Sequence, residues 1–147
     1  MPPEKDLINP PTLFVCYTCG ADKTVPKEAR PGGDLVRAIL AAVPPLPARV
    51  QKVKCLGGCN HPCAVAVAGP GKITYLYGHL PVAAETIEQL RTYLAQYGDA
   101  QTGFVPSAHR PPLFRQVLVR IPDANWVSES GLVSEPVGTP IKQAGHD

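Results

Sequence analysis

The sequence predicts an α/β domain: a four-stranded mixed sheet flanked by helices, with an irregular Pro-rich C-terminal extension. Three observations carry that prediction. Short apolar runs of strand length alternate with segments of helical periodicity up to residue 98. Their order is strand, helix, strand, then two strands around a turn, then a helix. Beyond residue 99 the periodicity weakens, and prolines recur at 106, 111, 112, 122, 136 and 140.

Residues 1–11 are polar and Pro-rich and read as a loose arm. "TLFV", Thr12 to Val15, reads as a short buried strand that delivers Cys16 at its C-terminal end. Residues 20–33 hold glycine, proline and charge, so they read as a loop. In "LVRAILAAV", Leu35, Ala38, Ile39 and Ala42 recur at helical spacing, with Asp34 as candidate cap and Pro44–Pro45 as the stop. "RVQKVK", Arg49 to Lys54, reads as the second strand and runs directly into Cys55. "AVAVA" at 64–68 and "KITYLY" at 72–77 flank "GPG", a strong hairpin pattern. Pro81 opens a helix through Tyr97, with Ile87, Leu90, Leu94 and Tyr97 on one face and Gly98 at the C-cap. A strand–helix–strand unit, then a hairpin, then a helix is a thioredoxin-like layout over residues 12–98.

Residues 99–127 read as a basic docking extension carrying Arg110, Arg115 and Arg120. Within it, "LFRQVLVRI" is ambiguous. Leu113, Phe114, Val117, Leu118 and Ile121 suit a helix, while Val117, Val119 and Ile121 equally suit a strand. Residues 128–147 read as disordered.

A chain of 147 residues, 44% hydrophobic and 18% charged, can bury a real core without disulfides. No apolar stretch approaches the length of a membrane span. "MPPEKDLINP" lacks the basic start and apolar run of a signal peptide. The expectation is a cytoplasmic protein, whose thiols stay reduced unless a metal holds them. A formal charge of +2 is too small for a nucleic-acid binder. No phosphate loop, catalytic triad or paired-carboxylate pattern is visible, which favours a carrier or binding role over a stand-alone enzyme.

The chemistry lies in five cysteines, an odd number that argues against a closed disulfide framework. "CYTC" holds Cys16 and Cys19, and "CLGGCNHPC" holds Cys55, Cys59 and Cys63. Each group follows a strand, so the two loops can converge at one end of the sheet. Thiolates suit zinc or iron–sulfur clusters, and two close pairs can wrap either. The wider second pair favours iron–sulfur. Gly57 and Gly58 let backbone N–H groups approach sulfide and thiolate and stabilise the cluster's negative charge.

A structural or handled Zn2+ ion is one alternative. A thiol–disulfide site at Cys16 and Cys19 is another, but "GADKTVPKEARPGG" follows that pair where a helix N-terminus is needed to lower a thiol pKa. Cys63 begins an apolar strand, where burial is the ordinary fate of a small cysteine. His61 reads as a loop histidine near the cysteines, since Rieske-type ligation takes a pair of histidines. Lys23, Lys27, Lys52 and Lys54 read as solvated charge that also offsets a negative cluster. Tyr75 and Tyr77 put aromatics on one face of their strand, for core or dimer contact.

"CLGGC" behind a strand, about 35 residues after a first cysteine pair, resembles the thioredoxin-like 2Fe–2S ferredoxins. Related subunits of respiratory complex I and of NAD-linked hydrogenase and formate dehydrogenase share the pattern. The resemblance covers residues 12–98. It implies Cys16, Cys19, Cys55 and Cys59 as ligands of a 2Fe–2S cluster, one-electron transfer to a redox partner protein, and a homodimer. The whole chain, with "CYTCG", "CLGGCNHPCAVAV", "GPGKITYLYG" and "RPPLF", looks still closer to a bacterial family of unknown function described as predicted metal-binding proteins. Two features depart from the ferredoxins: the first pair is tighter, and Cys63 has no counterpart there. Cys63 is therefore a candidate substitute for Cys19 or Cys59, or a reserve thiol.

Overall fold

The structure, a computed structural model, describes residues 10–18, 30–57, 62–124 and 126. Strand β1 (Thr12–Cys16) is followed by helix α1 (Pro31–Leu40) and strand β2 (Arg49–Val53). Strands β3 (Val65–Ala68) and β4 (Thr74–Tyr77), helix α2 (Ala84–Asp99) and strand β5 (Val119–Ile121) complete the order. Two single-turn 3-10 helices, Ser107–His109 and Pro112–Phe114, lie between α2 and β5.

The strands form one mixed sheet in the order β2-β1-β3-β4-β5. β1 and β2 are parallel, while the β1–β3, β3–β4 and β4–β5 pairs are antiparallel. A parallel pair needs a long crossover, and the segment containing α1 supplies it. Alternation along the strands sorts the two faces. Leu13, Val15, Val65, Val67, Tyr75 and Tyr77 are fully buried. They share one core with Leu35 and Ile39 of α1 and with Leu90, Tyr93, Leu94 and Tyr97 of α2. The helical periodicities therefore become the buried faces of both helices. Arg91 Nη1 donates to Pro44 O at 2.6 Å and ties α2 to the segment after α1.

Aromatic rings fill the β4 side of this core. Tyr77 meets Phe114 edge-on at 4.9 Å and Tyr93 edge-on at 5.2 Å, and Tyr93 stacks on Phe114 at 5.1 Å. Such pairs add about 0.5–1.5 kcal/mol each beyond their burial. Phe114 belongs to the Pro-rich segment, so that segment is anchored on the domain.

Four details differ from the sequence expectation. The sheet has five strands rather than four. Val119–Ile121 pairs with β4, and Leu118 N–H donates to Leu76 O at 2.9 Å, because β4 would otherwise present an open edge. Helix α1 begins at Pro31, with Arg30 at the N-cap; Asp34 lies in the first turn and caps nothing. Helix α2 starts at Ala84, not Pro81. It also continues past Gly98 to a C-cap at Ala100, because Lys72 Nζ donates to Tyr97 O at 2.9 Å and Gly98 O at 2.8 Å. The expected arm at residues 1–11 and tail at 128–147 lie almost wholly outside the described residues.

Gly103 returns the chain from α2 toward β4, with φ at +80°. A Cβ there would come within 2.7 Å of Tyr97 Cε1. Gly103→Ala therefore combines backbone strain with a clash, and is expected to cost about 2–4 kcal/mol in urea unfolding. A change below about 0.5 kcal/mol contradicts this packing.

Candidate metal centre

Three of the cysteines occupy one end of the sheet. Cys16 is the last residue of β1 and faces Val53, the last residue of β2, in the parallel register. Cys55 follows two positions later. On the other side of β1, Cys16 N–H donates to Ala64 O at 3.2 Å, and Cys63 is the next residue back. Parallel pairing on one side and antiparallel pairing on the other bring the end of β1, the end of β2 and the start of β3 together.

Two contacts stitch these loops. The carbonyl of Lys54 accepts the Cys16 thiol at 3.6 Å and also accepts the Thr18 hydroxyl. Tyr17 N–H donates to Val53 O at 3.0 Å. Beyond Cys55 the chain turns at Gly57, whose φ is +78°. That turn aims Gly57 N–H at Cys55 Sγ, 3.2 Å away. An N–H donor at this distance stabilises a thiolate, the role expected for Gly57.

Cys16 is 2% exposed and Cys63 3% exposed, whereas Cys55 faces solvent. Burial pushes the Cys63 thiol up to about 11, helped by nearby Cys16 and Asp34. Asp34, in the first turn of α1, acts on Cys63 through its charge. Sequence reasoning missed that, because α1 starts well past the CYTC pair. Cations also gather here: Arg30 Nη1 donates to Thr18 O at 3.3 Å, and Lys52 Nζ lies 5.6 Å from the Tyr17 ring centre. Leu80 N–H donates to Cys63 O at 3.4 Å, so the segment after β4 borders the site. No pattern in the sequence announced Leu80.

Cys19, Gly58, Cys59 and His61, and with them Lys23 and Lys27, fall outside the described residues. Among the described residues, no group of three or more His, Cys, Asp or Glu is disposed to hold one metal ion. Cys16, Cys55 and Cys63 share a sheet end without enclosing a common point. The donor set remains soft and sulfur-rich, which suits a thiophilic ion or cluster rather than a hard cation.

The family described as "Protein of unknown function (DUF1636)" matches residues 13–123. The chain belongs to that family. The DUF1636 match starts inside β1 and ends just past β5, so it takes in both helices and all five cysteines. No curated protein and no solved structure matches the chain. No helix among the described residues is long and apolar enough to cross a membrane.

The raised Cys63 pKa has a definite sign for stability. A thiol whose folded pKa exceeds its unfolded value keeps its proton after the unfolded chain has lost it, so stability falls as pH rises. The window runs from about pH 9 to about pH 11. Burial raises Tyr77, Tyr93 and Tyr97 as well, which adds a decline of the same sign at higher pH. Metal-free protein should lose urea resistance through this window, and Cys63→Ala should flatten the first part of the loss. An identical decline in parent and variant contradicts the placement of Cys63.

Proposed function

We propose that the chain is a ferredoxin-like one-electron carrier with a thioredoxin-like fold and a 2Fe–2S cluster held by Cys16, Cys19, Cys55 and Cys59. The observation that carries this reading is the exit of β1 and β2, as parallel neighbours, into the two cysteine loops at one sheet end. The strand order β2-β1-β3-β4, with only β1 and β2 parallel, supports the fold assignment. The cluster, when bound, supplies the one-electron redox chemistry.

The chain's own groups hold and tune it. Gly57 N–H donates to Cys55 Sγ and offsets thiolate charge. Arg30 and Lys52 add positive potential nearby. When Cys16 ligates it loses its S–H, yet the Lys54 carbonyl keeps the Thr18 hydroxyl as donor. This is a carrier rather than a stand-alone catalyst, working in the cytoplasm with a redox partner protein.

A homodimer belongs to the same reading. Phe14, Ala66, Leu76 and Val119 form an apolar row in register across the sheet, opposite the Tyr75 face; Ala66 is buried, Phe14 and Leu76 are half-buried, and the exposed end is at β5. Val119 is 45% exposed and neighbouring Ile121 53% exposed. A second reading, the handling of Zn2+ or another thiophilic ion, draws on Cys63: a spare buried sulfur beside Cys16 can assist ligand exchange.

Protein purified without oxygen is expected to be brown, with about two iron and two sulfide per chain. Cys16→Ala, Cys19→Ala, Cys55→Ala and Cys59→Ala should each lose the colour, while Cys63→Ala keeps it. Colourless protein that retains zinc contradicts electron transfer and favours metal handling.

A further inference from the structure

The metal reading leaves three arginines without a role. Arg110, Arg115 and Arg120 line a shallow cavity of about 340 Å3 that is open to solvent, together with Val117, Leu118 and Val119. Arg110 is its anchor and is only 5% exposed. Buried charges are ordinarily paired. Arg110 Nη1 donates to Val105 O and Nη2 to Arg115 O, each at 3.0 Å. Those carbonyls satisfy donors but cancel no charge. The guanidinium also lies 5.7 Å from the Tyr75 ring centre. Its Nε is buried with no hydrogen-bond partner.

The chain brings the other two arginines to this place. Arg115 Nε donates to Arg110 O at 3.1 Å, so the two residues clasp each other across the 3-10 turn. Arg120 faces Tyr75 in the β4–β5 register, the tyrosine under the Arg110 guanidinium. The charges of Arg110 and Arg120 both reach Tyr77. Among the described residues the ion pairs are Arg37–Asp34 and Arg91–Glu88, and neither involves this trio.

A guanidinium cannot escape its surroundings by losing its proton, as a buried lysine can. Arg115 and Arg120 are exposed and screened by solvent, but Arg110 is buried, and three guanidinium groups along one opening favour a counter-charge there. Their planar forks match the oxygens of carboxylate and phosphate groups. Val117 and Leu118 add a small apolar border to a lining that is mainly polar, which suits a small, highly charged ligand. We infer that the cavity binds a small organic oxyanion, a carboxylate or a phosphate ester, through Arg110, Arg115 and Arg120. The inference stands on these residues alone and does not depend on what the cysteines hold.

The test uses the full chain as isolated. Inorganic phosphate and succinate are titrated by calorimetry at constant ionic strength, with chloride as reference. Arg120→Gln is the informative variant, because Arg120 is exposed and its loss leaves the core intact. Arg37→Gln, on the surface of α1, is the control. Saturable binding of either anion is expected, weakened at least about tenfold by Arg120→Gln and unchanged by Arg37→Gln. The tighter anion assigns the ligand to the phosphate or the carboxylate class. Absence of saturable binding, or equal binding by parent and Arg120→Gln, overturns the inference. Binding of an acidic peptide alone also overturns it, and makes the patch a protein-docking surface.

Discussion

The arrangement of the cysteine end depends on β1 pairing on both of its sides. β1 lies inside the sheet and pairs in parallel with β2 and antiparallel with β3. These directions decide where the sulfurs go. Five residues of strand span about 16 Å. Were β2 antiparallel to β1, Cys55 would leave from the opposite edge, at about that distance. A metal–sulfur bond is about 2.3 Å, so no shared site would survive the reversal. Helix α1 makes the parallel arrangement feasible and packs on β1 through Leu35, Val36 and Ile39. The aromatic cluster of β4, α2 and Phe114 steadies the other half of the sheet.

The same placement sets the electrostatic problem of the site. Cys16 and Cys63 are buried, and a thiolate at Cys16 makes one at Cys63 harder to form. Thiolates are the form that binds metal, so a thiophilic ion taken up here would release protons and offset that repulsion. The surroundings lower the cost in small ways. Gly57 N–H points at Cys55 Sγ, Arg30 reaches the Thr18 carbonyl, and Lys52 hangs over Tyr17. The carbonyl of Lys54 is shared by Cys16 and Thr18, so deprotonation of the thiol leaves no orphaned acceptor.

Elements whose burial is written in their own residues were legible in the sequence. Leu13 and Val15 and the Leu90–Leu94–Tyr97 stripe went to the core as their spacing predicted, and of the two places open to Tyr75 and Tyr77, core or dimer contact, both take the core. The placement of Cys16 at the end of β1 and of Cys55 just beyond β2 was legible for the same reason. What stayed hidden depends on partners remote in the chain. "LFRQVLVRI" fits two periods, and only the open edge of β4 selects a strand for Val119–Ile121. Gly98 looked like a helix stop until Lys72, on the far side of the hairpin, satisfied the α2 carbonyls. Asp34 looked like a cap, but the N-cap position belongs to Arg30, and Asp34 falls within the first turn. The arginines were visible as basic charge, but their convergence on one hollow requires the 3-10 turns and the β4–β5 register.

The central claim is that the cysteine end holds a cluster that accepts single electrons. Electron paramagnetic resonance of anaerobic protein tests it most directly. The oxidised protein should be silent and, after chemical reduction, give a signal integrating to about one unpaired spin per chain. A protein with bound metal that stays silent after reduction contradicts the claim.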